Sequence, residues 1–185
     1  MADANSSDEF VQNNQQMLAA ARGCIEFGQV VPALVLMYSQ IDALAWSCAQ
    51  DTQRGKVKAN FVQWVAAWLL PHLRNQVPHL EGIDLYAARC GVLHTLTGTS
   101  DLTVSGRAKS IGYAHGSADA AALYEQMVRQ HPDVAARFVM LKLETFLAAL
   151  EAAFADLQSA AANNEEFRAR LLRARSSQFV RFAAK

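Results

Sequence analysis

Apolar residues return every three or four positions along almost the whole chain, while turn-forming Gly, Pro, Asn and Ser gather at only a few boundaries. That periodicity is the spacing of one helix face, so it commits the backbone to amphipathic helices that bury their stripes against one another. The pattern predicts an all-α fold: a helical bundle of about six helices with a short irregular or hairpin insertion after the fourth. The 185 residues suit one helical domain, with residues 9–162 as bundle core and residues 163–185 as a basic C-terminal helix or extension.

Boundary residues place the helices. The first is expected from Glu9 to Phe27, ended by Gly28. A second opens near Pro32, which a first turn tolerates, and reaches Gln50, with Leu34, Tyr38, Ile41, Ala45 and Cys48 as its stripe. The third spans Val57 to Leu73 with Phe61, Val65, Trp68 and Leu69 on its face, and Pro71 should kink or fray its last turn. A fourth runs from Ile83 or Asp84 to Leu96. The segment after it, TGTSDLTVSGRAKSIGYAHGS, lacks helical period; Ile111, Tyr113 and His115 alternate with smaller residues, as in a hairpin or an ordered loop. Ser117 is positioned to cap a helix that runs to Gln130, and Pro132 to open a long one reaching Ala162, with Phe138, Leu141, Thr145, Ala148 or Ala149, and Ala152 in register. A last helix is expected from Glu165 to Arg175.

Charge and cysteine usage narrow the function classes. Lys plus Arg (17) equal Asp plus Glu (17), so any surface for a polyanion must be local. The N-terminal MADANSSDEF has no basic stretch followed by an apolar one, which argues against a secretory signal. The longest apolar stretches, Val30 to Tyr38 and Val62 to Leu70, fall short of the roughly 18 residues that span a bilayer, so the expected setting is cytoplasmic, with no membrane partner. Cys24, Cys48 and Cys90 are odd in number and widely spaced, which fits neither a disulfide framework nor a metal site. The five histidines include no H-E-x-x-H, and no glycine-rich phosphate loop or nucleophile elbow occurs, so no metal and no cofactor is expected.

One constellation remains. Between Glu26 and Asp51 the only formally charged side chain is Asp42, and a carboxylate on so apolar a helix is costly to bury alone. Arg89, beside the stripe of Leu85, Ala88, Val92 and Leu96, is its natural partner, since a planar guanidinium grips a carboxylate with several donors. The pair can belong to a site or only fix helix register. His94 follows five residues later. At about 100° per residue that step turns through roughly 140°, so an ideal helix separates the two side chains. Relaxation at Gly91, or the same helix from a second copy, would bring an arginine and a histidine together.

A helix reading IDALA, followed by one ending in LYAARCGVLHT ahead of a polar irregular segment, resembles the HEPN superfamily. The hallmark of that superfamily, Arg followed after four to six residues by His, is here Arg89-x4-His94. The likeness covers roughly residues 10–100 and the helical context after it. One position departs, since Cys90 stands where active members carry a polar Asn, Asp or His. The resemblance implies a homodimer and a metal-independent endoribonuclease centre at the dimer cleft, with His94 as general acid/base and Arg89 on the phosphate. It also implies a defence or toxin-antitoxin setting, with RNA and an antitoxin or other protein as partners. A non-catalytic dimerisation or interaction module, with Arg89 and Asp42 as a structural pair, is the alternative. Arg107 and Lys109 are further candidates for phosphate contact and Tyr113 for stacking on a base. From Phe167 onward the chain carries Arg168, Arg170, Arg173, Arg175, Arg181 and Lys185 and no acid, a basic stretch suited to a nucleic-acid backbone or to acids on a neighbour.

Overall fold

A computed structural model describes residues 2–133 and 135–175. The fold is mostly helical, as the periodicity predicts, with one small parallel sheet added. Helix α1 (Ala2–Glu26) packs against α2 (Val30–Cys48), and the chain reverses at Gly28, whose φ of 69° suits glycine. Helix α2 is the centre of the molecule: it touches α1 and the helices described below as α3, α5, α8 and α9. Leu34, Met37, Tyr38, Ile41 and Leu44 are all buried, a wider face than the expected stripe. By length and composition this helix is apolar enough to cross a bilayer, and half of it is buried inside the fold. The apolar character expected to end at Tyr38 continues to Cys48, interrupted only by a few polar residues.

Helix α3 (Val57–Trp64), a π-helical turn (Val65–Leu69) and α4 (Leu70–Leu73) form one continuous rod. Pro71 accounts for the wide turn. It cannot donate an amide, and the Leu70 amide instead reaches back five residues to the Val65 carbonyl. The helix therefore bulges and continues instead of fraying.

Helix α5 (Gly82–Thr95) carries the candidate site and is fastened at both ends. At its start the Glu81 amide donates to Asp84 Oδ2 at 3.0 Å, while Asp84 Oδ1 accepts the Lys109 amide at 2.7 Å. Asp84 is only 2% exposed, with Lys109 Nζ 3.7 Å away. At the other end Leu96 takes φ 53°, and residues 97–99 fold back so tightly that a Cβ on Gly91 would lie 2.6 Å from the Thr99 carbonyl oxygen. Gly91 thus admits the returning chain rather than loosening the helix. Leu96, expected on the core stripe, is 65% exposed because the helix has already ended.

The insertion contains a short helix α6 (Asp101–Val104) and a strand β1 (Ser110–Ala114). Helix α7 (Ala120–Gln130) follows, capped by Asp119, whose Oδ1 accepts from the Ala121 amide at 2.9 Å; the expected cap, Ser117, lies outside it. A 3-10 turn (Ala135–Arg137) then leads into strand β2 (Phe138–Lys142). Strands β1 and β2 pair in parallel, Ser110 opposite Phe138 and Ala114 opposite Lys142. This corrects two expectations: the insertion is not a hairpin, and residues 138–142 are not the first turns of a long helix. Parallel strands need a crossover, and α7 supplies it. The segment FVMLK also has the period of a strand, with Val139 and Leu141 buried and Phe138, Met140 and Lys142 on the other face. Phe138 and Leu141 fit a helical register equally well, which is why spacing alone misassigns them.

Helix α8 (Leu143–Asn163) begins at Leu143 and not near Pro132, and it buries Phe146, Ala149, Leu150, Ala153 and Leu157 against the bundle; Ala149 was expected on this face, while Thr145 and Ala152 are only partly buried. Helix α9 (Glu165–Arg175) packs on α2 and α8. Phe167 stacks on Trp68 with ring centroids 6.1 Å apart, and Leu171 joins the core. Arg170 Nη1 lies 3.5 Å from the Cys48 carbonyl, completing the C-terminal end of α2. Arg170 is therefore a packed residue, and Arg168 is exposed. Of the other expected cations, the side chains of Arg173 and Arg175, and all of Arg181 and Lys185, lie outside the described residues.

Asp84 joins the start of α5 to the insertion, so Asp84→Ala should lower the free energy of unfolding by roughly 1–3 kcal/mol, because it removes a cap and leaves the Glu81 and Lys109 amides without their acceptor. Urea denaturation checks this, and an unchanged midpoint contradicts it.

Candidate functional site

Asp42 on α2 and Arg89 on α5 face each other where the two helices pack. Arg89 Nε donates to Asp42 Oδ2 at 2.7 Å, and Nη2 stands 2.7 Å from the same oxygen. The side chains are 15% and 22% exposed, so the pair is largely withdrawn from water without being sealed. Burial alone would lower the Arg89 pKa, but hydrogen bonding and attraction to Asp42 outweigh it and hold the pKa above the ordinary arginine value. The guanidinium also lies over the Tyr86 ring, 5.9 Å from its centroid. Burial, with the adjacent Cys90 thiol as second cause, raises the Tyr86 phenol.

The remaining arm of the guanidinium reaches outward. Arg89 Nη1 lies 3.0 Å from Nε2 of His94, which is exposed. The expectation that one helix keeps these side chains apart is thus overturned within a single chain. The backbone of α5 remains helical through both residues, and the length of the arginine side chain spans the angular gap. Arginine offers only donors, so His94 Nε2 must be the acceptor, which places the ring proton on Nδ1. The arrangement runs from a half-buried carboxylate through a guanidinium to an exposed imidazole. A neutral imidazole can take up a proton, and a guanidinium can hold phosphate oxygens.

The other predicted site residues do not all gather here. Arg107 is exposed, its side chain donates to Ser105 Oγ at 2.9 Å, and it has no ion pair among the described residues, so it is available as a cation. Lys109 is not: its Nζ bonds to the His79 carbonyl and sits 3.7 Å and 3.8 Å from Asp84 and Glu81. Tyr113 is not free to stack on a base either. Its hydroxyl is hydrogen-bonded to that of Tyr38, a residue with no exposed surface, and burial holds the Tyr113 pKa well above its usual value. Lys109 and Tyr113 are structural ties between α5 or α2 and the insertion.

Sequence reasoning passed over Tyr86 and the pairing of His72 Nε2 with Asp156 Oδ2 at 2.8 Å. The first was legible, since Tyr86 and Arg89 are three apart on one helix face; the second joins distant helices and leaves no local signal. The three cysteines are unpaired and partly buried, and burial pushes the Cys48 thiol up to about 12. Among the described residues no group of three or more His, Cys, Asp or Glu side chains could hold a metal. Neither of two large surface cavities, one under α7 and one beside the start of α3, includes Arg89 or His94. No family model, curated protein or solved structure matches this chain.

Arg89→Met should destabilise the fold by about 1–3 kcal/mol, because it leaves the Asp42 carboxylate withdrawn from water without its partner. Combining it with Asp42→Leu should recover most of that loss. Equal losses with and without the second substitution in a double-mutant cycle would show that the pair is not coupled.

Proposed function

We propose that this chain is a HEPN-like helical protein that cleaves RNA without a metal, acting as a homodimer at a cleft that a second copy completes. One observation supports the reading: Arg89 Nη1 meets His94 Nε2 at 3.0 Å at the surface, with Asp42 holding the guanidinium from behind. When an RNA phosphate takes the outward arm of Arg89, the lone pair of His94 Nε2 is released to accept the proton of the adjacent ribose 2′-hydroxyl. The 2′-oxygen attacks phosphorus, the bond to the 5′-oxygen breaks, and a 2′,3′-cyclic phosphate forms. The leaving oxygen takes its proton from an imidazole N–H, and the guanidinium offsets the charge on the phosphoryl oxygens. Arg107 is the remaining candidate for contact with the RNA backbone. The biological setting that accompanies this reading is cytoplasmic, in defence or a toxin-antitoxin pair with an antitoxin as partner.

A second reading is favoured by the two 2.7 Å approaches of Arg89 to Asp42 and by Cys90 standing in place of a polar residue. On it the protein is a non-catalytic dimerisation or interaction module, and Arg89 only fixes helix register. Incubation with single-stranded RNA in EDTA separates the two. The nuclease reading predicts fragments ending in 2′,3′-cyclic phosphate, and a His94→Ala variant that folds normally but is slower by about 100-fold or more. Intact RNA, or equal cleavage by both proteins, would rule it out in favour of the module.

A further inference from the structure

We propose that the cavity beneath α7 binds a small amphipathic acid, an alkyl or aryl chain carrying one carboxylate. The cavity has a volume of about 880 Å³ and lies between α7, strand β2 and residues 76–79. That is the size of a site for a molecule of roughly drug dimensions.

The way α7 is held gives the first reason. None of its described residues is buried, and it packs chiefly on β2. A helix of eleven residues that is apolar on one side normally covers a filled core. Here the side bearing Ala121 and Tyr124 covers open space. The walls opposite are largely apolar: Val77 and Pro78, flanked by Gln76 and His79, on one side, and Phe138 and Met140 from the outward face of β2 on the other. Gly112 of β1 leaves room for that face, because a Cβ there would lie 2.6 Å from the Phe138 ring and 3.0 Å from the Met140 sulfur. A methionine in such a wall adapts to the shape of an apolar guest.

Charge supplies the second reason. Three charged side chains line the cavity, and two are already matched: Lys109 by Asp84 and Glu81, and Asp119 by the amides it caps at the start of α7. Lys142 has no ion-pair partner among the described residues. It lies at the end of β2, on the same face as Phe138 and Met140 by the alternation of the strand. The cavity thus presents an apolar body with one uncompensated cation at its edge, and the complement is an apolar body with one anion. A cationic or neutral guest of the same shape leaves Lys142 unmatched.

Calorimetric titration of the full chain with decanoate tests this, with decyltrimethylammonium as a cationic guest of equal chain length. Decanoate should bind saturably at one site and the cation should not. Lys142→Gln should weaken decanoate binding by about tenfold or more. Ala121→Trp, which fills the space while leaving the charge, should abolish it, and both variants should keep the wild-type circular dichroism. Lack of saturable binding up to about 1 mM decanoate, equal binding of the two guests, or binding indifferent to both substitutions would overturn the proposal.

Discussion

A single carboxylate on the central helix dictates much of what surrounds it. Helix α2 runs through the centre of the bundle with Asp42 as its only charge, and a carboxylate so placed must have a partner or destabilise the fold. Arg89 meets that need with two nitrogens on one oxygen. The consequence reaches beyond stability, because a guanidinium fixed on one side has its other arm aimed. That arm ends at His94, so the interaction that sets the register of α2 against α5 also fixes the orientation and tautomer of an exposed imidazole.

The ends of α5 give the site its frame. Asp84 ties the first turn to Lys109, just ahead of strand β1, and the close passage of residues 97–99 over Gly91 determines where the last turn stops. His94 lies in that last turn. The insertion is therefore a βαβ unit leaning on α5, with the Tyr38–Tyr113 hydroxyl contact as a further tie to α2, and Lys109 and Tyr113 serve this framework rather than a substrate.

The helical character, the burial of α2 and the pairing of Asp42 with Arg89 were legible because each follows from periodicity or from the cost of one isolated charge. The parallel sheet was not. Strand β2 is five residues long, and its residues 138 and 141 satisfy a helical spacing while 139 and 141 satisfy a strand's; only its partner 28 positions earlier, Ser110 against Phe138, decides between them. The meeting of Arg89 and His94 was missed for a different reason. Angular arithmetic on the backbone ignores the reach of a long side chain. The cavity under α7 carries no sequence signal, since its walls come from three separate segments.

The central claim is that Arg89 donates to His94 Nε2 and so sets the ring's proton on Nδ1. Long-range proton–nitrogen correlation spectra of the neutral His94 ring test it most directly. The account predicts an unprotonated, hydrogen-bonded Nε2 and a protonated Nδ1 in the wild type, with the preference lost in Arg89→Met. A ring protonated on Nε2 in the wild type, or one indifferent to the loss of Arg89, would contradict it.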